Sequence, residues 1–159
     1  MIKFFSLCAT TFILLSAPLT SQADPQSDVA ACLGVGLLSK QAGEFRDSGL
    51  EPIKIQEAMI GEIIKNTGSS EEKAKLIAVF PTALATQYKE LNPWSLHSLG
   101  TKICAMRKKA NLSPKTIHAL AEYAFFCQRS YKTSEEASEC MAEVDKVFAQ
   151  LLSDNDRSK

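Results

Sequence analysis

A short pattern of leucine, a polar residue and proline recurs along this chain and predicts where helices begin. It occurs at residues 50–52, 91–93 and 112–114. Proline at the first helical position loses no hydrogen bond, because its missing N–H would have no partner there, and the preceding polar residue can cap the helix. Asn92 and Ser113 are good caps, whereas Glu51 is a poorer one. The pattern therefore predicts helices that start at its three prolines.

Two capping boxes mark further helix starts. Ser69 stands three residues before Glu72, and Thr133 stands three residues before Glu136. In such a pair, the cap and the glutamate satisfy each other's backbone N–H groups. Asp24-Pro25 provides one more start with the same cap and proline. Together with the three prolines and the two capping boxes, it predicts six helices. The expected bounds are 25–47, 52–66, 70–91, 93–110, 114–129 and 134–152.

The third predicted helix contains Pro81, which should kink or split it, because proline cannot donate a backbone hydrogen bond to Ile77. No stretch alternates between apolar and polar residues with the two-residue period of a strand, and no Asn-Gly or Asp-Gly hairpin signal occurs. The sequence therefore predicts an all-α fold, a compact bundle of about six helices without a sheet.

The first predicted helix has the composition of a central helix. Its segment Val29–Leu38 carries no charge and places apolar groups on every side. Gly34 and Gly36 would let neighbouring helices approach its backbone, and this close packing would offset the cost of about 1 kcal/mol for each glycine. The last two helices each have one apolar face, which is typical of outer helices. We therefore expect the other helices to pack around the first.

Residues 1–23 have the features of a secretory signal peptide. A single lysine precedes an apolar stretch at 4–15, and small residues precede a cleavage site after Ala23. This stretch is shorter than the roughly 20 residues that span a bilayer, so we expect no transmembrane segment after cleavage. The expected product is a periplasmic or secreted protein with one domain over 24–152 and a frayed tail over 153–159.

Cleavage removes Cys8 and leaves four cysteines, Cys32, Cys104, Cys127 and Cys140. An even number in an exported chain predicts two disulfides. No pair has the spacing of a structural zinc site or of a Cys-x-x-Cys redox motif. Cys127 and Cys140 fall on apolar stripes that should face each other across a short turn, so we favour this pair together with Cys32–Cys104. The other two connectivities and unpaired thiols are the alternatives.

Charge and motifs argue against several functional classes. The chain has 18 basic and 18 acidic residues, so no global field favours nucleic acid. His97 and His118 belong to no metal-binding or nucleophile motif, and glycine-rich phosphate loops are missing. We therefore expect no cofactor and no metal ion, and we lean against an enzyme. An enzyme with scattered catalytic residues is an alternative, which a pocket holding either histidine beside a carboxylate would favour.

Exposed aromatic side chains are the best indication of a partner in this sequence. Phe126 should lie opposite the apolar face of its helix, and Trp94 should be half covered, unless a second packing layer hides them. Such side chains often anchor binding patches. The basic run Arg107-Lys108-Lys109 suits the carbonyl end of the fourth helix. Docking of an acidic protein surface is the alternative role for this run.

Several of these features occur together between residues 32 and 104. The segment has a cysteine in its first helix, an Arg-x-x-Gly turn at 46–49, a middle part that ends at Tyr88, and a following helix that carries Cys104. With its leader, the chain resembles the small all-helical secreted proteins of unknown function found in Gram-negative bacteria. The resemblance implies a periplasmic or secreted setting and supplies no catalytic residue.

These observations favour an exported, disulfide-linked helical module that acts without catalysis. Its expected partner is another protein of the envelope or outside the cell, which suits an inhibitor, an immunity-type protein or an envelope accessory protein. The alternative is a carrier that holds a small apolar ligand inside the bundle. The cavity expected for that ligand would be lined by Met59, Phe80, Leu84 and Met106.

Overall fold

The computed structural model describes residues 25–108 and 111–144. No residue in these two ranges belongs to a strand, and the all-α prediction is confirmed. A sixth helix, α6, begins at 134 and continues to 144, where the description ends. The predicted signal peptide, the tail over 153–159 and the rest of the sixth helix lie outside the described residues. The five helices before α6 are α1 (Pro25–Asp47), α2 (Pro52–Thr67), α3 (Glu71–Gln87), α4 (Pro93–Arg107) and α5 (Pro114–Ser130).

Two of the three polar residues before the helix-starting prolines cap their helices through their side chains. The Asn92 side chain accepts a hydrogen bond from the Ser95 N–H at 2.8 Å. The Ser113 hydroxyl accepts one from the Thr116 N–H at 3.1 Å. Glu51 makes no such side-chain bond. These three helix starts were therefore fixed by residues adjacent in sequence.

One of the two predicted capping boxes forms and the other does not. Thr133 and Glu136 exchange two hydrogen bonds of 3.2 Å between side chain and backbone N–H, so this box is confirmed. The prediction of Ser69 as a cap is wrong by one residue. Ser70 caps α3 instead, and its hydroxyl accepts a hydrogen bond from the Lys73 N–H at 3.4 Å.

The third helix is shorter than expected and is not split. It runs unbroken past Pro81, whose side chain is fully buried. It ends at Gln87, and the prediction of an end at 91 is wrong. Tyr88 leaves the helical conformation with φ −109° and ψ 68°. The chain can turn there because an arginine distant in sequence donates hydrogen bonds to the carbonyl groups at this helix end. In a longer helix, backbone N–H groups would have donated these bonds.

That arginine is Arg46, in the last turn of α1. Its guanidinium donates hydrogen bonds to the carbonyl oxygens of Ala85 and Tyr88, both at 3.2 Å, and of Leu91 at 2.7 Å. Carbonyls at a helix end have no partner inside the helix, so a cation is well placed there. The Arg-x-x-Gly turn is thus a structural device that fixes α1 to the connection between α3 and α4.

The first helix is the centre of the bundle. It packs on α2, α3 and, most extensively, α4. A Cβ at Gly36 would lie 2.8 Å from the carbonyl oxygen of His97, so only glycine fits at this crossing. A Cβ at Gly100 of α4 would lie 2.9 Å from the Cβ of Ser39. Gly34 faces open space instead, so only one of the two predicted α1 glycines supports close packing.

One face of α1 is not covered by the described part of the bundle. Val29, Leu33 and Leu37 are 62%, 45% and 58% exposed. They recur every four residues and therefore form one stripe. The expectation that α1 is buried on every side is wrong for this stripe, because α2, α3 and α4 occupy its other sides.

Two cysteine pairs link the helices. Cys32 of α1 bonds to Cys104 of α4, and Cys127 of α5 bonds to Cys140 of α6, with Sγ–Sγ distances of 2.03 Å in both. The prediction of two disulfides is confirmed, and the pairing is the one that the sequence favoured. Within the described ranges, no helix has the length and apolar character needed to cross a membrane.

Candidate functional site

The two aromatic side chains that the sequence marked for a partner are both exposed. Phe126 is 58% exposed, and its ring centre lies 6.1 Å from that of Tyr123. Trp94 is 52% exposed, and the Lys40 ammonium lies 4.8 Å from its ring centre. Among the described residues, no ring contact joins the two. Each ring therefore has its own neighbours, Tyr123 for Phe126 and Lys40 for Trp94.

The first two residues of the basic run at the end of α4 are exposed but make contacts with other parts of the protein. The Arg107 guanidinium lies 4.8 Å from the ring centre of Phe80, and Lys108 forms an ion pair with Asp28 of α1. Lys109 lies outside the described residues. Arg107 lies thirteen positions after Trp94 on α4, which corresponds to about 20 Å at roughly 1.5 Å per residue. The predicted candidates do not form one compact site.

A groove that the sequence analysis missed lies between α2 and α3. Ile53, Leu76 and Val79 are 66%, 78% and 52% exposed, and together with Ile60 they line what we call the α2–α3 groove. The two helices pack against each other and are joined by only three residues, 68–70, as in an antiparallel helical hairpin. Scattered exposed apolar residues are ordinary, but a continuous apolar groove indicates a binding surface.

Residues of both charge signs border the α2–α3 groove. Lys54 binds Glu57 at 2.7 Å, and Lys75 binds Glu71 at 2.6 Å. The hydrogen bond and the charge of Lys75 hold the pKa of Glu71 below its ordinary value. The border therefore has no net preference for a strongly acidic or a strongly basic partner.

The sequence carried a signal for this groove. Along α2, Ile55, Met59 and Ile63 repeat at helical spacing and are buried. A second set, which includes Ile53 and Ile60, follows the same period on another face. Two apolar faces on one helix predict that both are packed, but the described bundle buries only the first of them.

A second, polar groove lies where the end of α5 meets the starts of α4 and α6. Its cavity volume is about 100 Å³, and Trp94 and Tyr131 lie on its border. Gln128 joins its walls, because its side chain accepts from the Asn92 N–H at 2.8 Å and donates to the Glu90 carbonyl at 3.0 Å. We call it the Trp94–Tyr131 groove.

The two histidines do not form an acid–base site in the described ranges. His97 lines a mainly apolar groove with Leu33 and Met141, and no carboxylate belongs to its described lining. Burial and the nearby charge of Lys40 lower the pKa of His97. His118 lies on the exposed face of α5, 3.8 Å from a Glu122 oxygen. No described group of three His, Cys, Asp or Glu side chains could hold a metal ion.

The four residues expected to line a ligand cavity contribute to the core instead. Met59, Leu84 and Met106 are at most 8% exposed and belong to the buried cluster, and Phe80 packs against it. The carrier hypothesis therefore gains no support from these residues.

The fold and its surfaces define an all-helical protein linked by two disulfides, with an apolar groove on one helical hairpin and a polar groove elsewhere. Comparison with protein-family models, with curated proteins and with solved structures gives no match.

Proposed function

We propose that the protein is an exported, non-enzymatic interaction module and that the α2–α3 groove is where its protein partner binds. The observation that carries this proposal is the exposure of Ile53, Leu76 and Val79 on one surface. Burial of an apolar side chain on association contributes roughly 25 cal/mol per Å² removed from water. A partner that covers this groove therefore gains binding energy from all three side chains.

The shape of the groove indicates the form of the partner. Two antiparallel helices with an apolar trough between them present a surface that accepts an amphipathic helix, with anchor residues at helical spacing. The borders carry Lys54, Glu57, Glu72 and Lys75, which suits a partner helix with charges of both signs beside its apolar stripe.

The setting of this function is the periplasm or the extracellular space. Two disulfides support it, because such bonds persist in oxidising compartments and are rare where thiols are kept reduced. Mass spectrometry of the protein recovered from its source should find a chain that begins at Asp24, with its four cysteines oxidised. A retained leader with free thiols would contradict export.

Capture from envelope extract with immobilised wild type and variants tests the groove. Leu76→Glu places a charge in the trough and should abolish capture of the partner. Lys73→Glu places a glutamate on the same helix outside the lining, with a larger change of net charge, and should retain capture. Both changes are at exposed helix positions, so the free energy of unfolding should stay within about 0.5 kcal/mol of wild type.

Phe126→Asp tests whether the partner binds at the α2–α3 groove or at the exposed surface of α5 that carries Phe126. Retained capture by this variant, together with loss in Leu76→Glu, supports the groove. Loss in Phe126→Asp with retention in Leu76→Glu would move the binding surface to α5 and contradict the groove. Equal capture by all variants, or capture of nothing by wild type, would contradict both surfaces.

A further inference from the structure

The exposed apolar stripe of α1 continues into a groove that α4 and α6 complete. Leu33, the middle residue of the stripe, lines this groove together with Ala105 of α4 and with Met141 and Ala142 of α6. We call it the Leu33 groove. A continuous apolar surface of this kind indicates a place where another segment or molecule packs. The directions of the three helices indicate which segment that is.

The first and fourth helices run in opposite directions. Cys104 of α4 is bonded to Cys32 of α1, and four residues later on α4, Lys108 forms an ion pair with Asp28, four residues earlier on α1. A step toward the end of α4 is therefore a step toward the start of α1. The start of the apolar stripe lies level with the last turn of α4.

The sixth helix runs in the same direction as α4. The starts of both helices line the Trp94–Tyr131 groove, and the hydroxyl oxygens of Ser98 and Ser138 lie 3.4 Å apart. Later residues of both helices, with Met141 on α6, line the Leu33 groove. Six positions beyond the contact of the two serines lie Cys104 and Val144, where the description of α6 ends. The next turns of α6 would therefore pass beside the start of the α1 stripe.

The sequence that follows position 144 suits this place. Residues 145–152 contain four large apolar side chains and neither glycine nor proline. Phe148 follows Met141 by seven positions, which is about two helical turns, so both belong to one helix face. Leu152 is one turn further. Asp145 comes one turn after Met141, and the groove lining includes Lys102, which carries the opposite charge.

Other occupants fit the Leu33 groove less well. Residues 153–159 are polar or charged, and the apolar stretch at 4–15 belongs to the predicted leader, which cleavage removes. A second copy would meet a stripe of three side chains, Val29, Leu33 and Leu37, whereas a stable interface uses roughly 20–30 residues on each side. A segment of the same chain needs less contact, because it is already held nearby.

We propose that residues 145–152 continue α6 and dock in the Leu33 groove, where Phe148 and Leu152 cover Val29 and Leu33. The start of α1 is then packed between α4 and the end of α6. The disulfide Cys127–Cys140 holds the earlier part of α6 in place. Because the α2–α3 groove lies on other helices, this docking does not depend on the function proposed for that groove.

The remaining residue of the stripe provides a contrast. Leu37 follows Gly36, at which a Cβ would lie 2.8 Å from the carbonyl oxygen of His97. Leu37 therefore lies level with the first half of α4, and residues 145–152 lead away from it. We expect Leu37 to stay exposed while Leu33 is covered.

Double-mutant cycles on the full chain test the docking by urea denaturation. Leu33→Ala and Phe148→Ala should each lower the folding equilibrium constant about tenfold, because each removes apolar contact from the same place. The double variant should be about fivefold more stable than the product of the two losses predicts, since residues in contact are not additive. Leu37→Ala is the matched control, and its effect should multiply with that of Phe148→Ala.

Nuclear Overhauser effects locate the contact directly. In the methyl-labelled full chain, ring protons of Phe148 should show them to methyl groups of Val29 or Leu33 and not to those of Leu37. The proposal is overturned if these effects are missing, or if the coupling between Leu33 and Phe148 is missing. It is also overturned if Leu37 couples as strongly as Leu33. An unfolding midpoint that rises with protein concentration would assign the groove to a second copy instead.

Discussion

The contact between α1 and α4 differs from the hairpin of α2 and α3 in how its helices are held together. In the first, Gly36 and Gly100 bring two helices together, and Cys32–Cys104 links them covalently. In the second, α2 buries one apolar face and leaves another in solvent. Neither helix of the hairpin carries a cysteine. Because α1 also has an exposed apolar stripe, the difference lies in how the helices are held together. Close glycine contacts and a disulfide hold α1 to α4, whereas side-chain packing holds α2 to α3.

The largest difference should appear when Cys32 and Cys104 are both replaced by alanine. The disulfide spans 72 residues, so its loss should lower the free energy of unfolding by roughly 4 kcal/mol on chain-entropy grounds. Urea denaturation measures this. The matched variant without Cys127–Cys140, a separation of 13 residues, should lose roughly 3 kcal/mol. A smaller loss of stability without Cys32–Cys104 than without Cys127–Cys140 would contradict this comparison.

Arg46→Met should have the next largest effect. The variant keeps a long side chain but leaves the carbonyls of Ala85, Tyr88 and Leu91 without their donor. Hydrogen bonds that involve a charged group contribute roughly 1.5–3 kcal/mol, so the free energy of unfolding should fall by about 2–3 kcal/mol. Arg46→Lys should restore only part of the lost stability, because an ammonium group cannot reproduce the planar arrangement of N–H donors in a guanidinium. A loss near zero in Arg46→Met would show that solvent satisfies these carbonyls.

Gly36→Ala should lower the free energy of unfolding by about 1–2 kcal/mol, since its Cβ would meet the His97 backbone at 2.8 Å. Gly34→Ala on the same helix and Gly61→Ala on α2 have open space. Each of these two variants should raise the free energy of unfolding by about 0.5–1 kcal/mol, because alanine has a higher helix propensity than glycine. Thermal and urea unfolding of the three variants provide the test. Stabilisation by all three would mean that α1 and α4 can move apart at no cost.

His97 should produce the smallest effect, and it depends on pH. Its pKa is lowered from 6.5 by burial and by Lys40, so the unfolded chain binds a proton more readily than the folded one. Stability therefore decreases as pH falls through about 6.5. His97→Gln should flatten this part of the profile, whereas His118→Gln on the exposed face of α5 serves as the control. An unchanged slope in His97→Gln would contradict the role of this side chain.

Helix starts were predictable from the sequence because each depends on residues next to one another. The three prolines and the box of Thr133 and Glu136 behave as expected. The exception is instructive. Gly68 ends α2 with φ 65°, and the Ser69 N–H bonds to the Thr67 hydroxyl at 3.2 Å, so Ser69 belongs to the end of α2. Either of the two adjacent serines could cap α3. Because Ser69 takes part in the end of α2, Ser70 is the cap.

The features that sequence missed depend on contacts between distant residues. The end of α3 is set by Arg46, about forty residues earlier in the chain. The exposed stripe of Val29, Leu33 and Leu37 and the α2–α3 groove depend on which sides of a helix its neighbours occupy. Exposure of Trp94 was predictable from its position in the helix, but the groove it forms with Tyr131 required the packing of α4, α5 and α6.

The two disulfides close rings that follow one another along the chain, since Cys104 precedes Cys127. A single peptide-bond cleavage inside either ring leaves the protein covalently in one piece. A single cleavage between Cys104 and Cys127 leaves two fragments with no covalent link. Packing between α4 and α5 and the hydrogen bonds of Gln128 then have to hold the two fragments together.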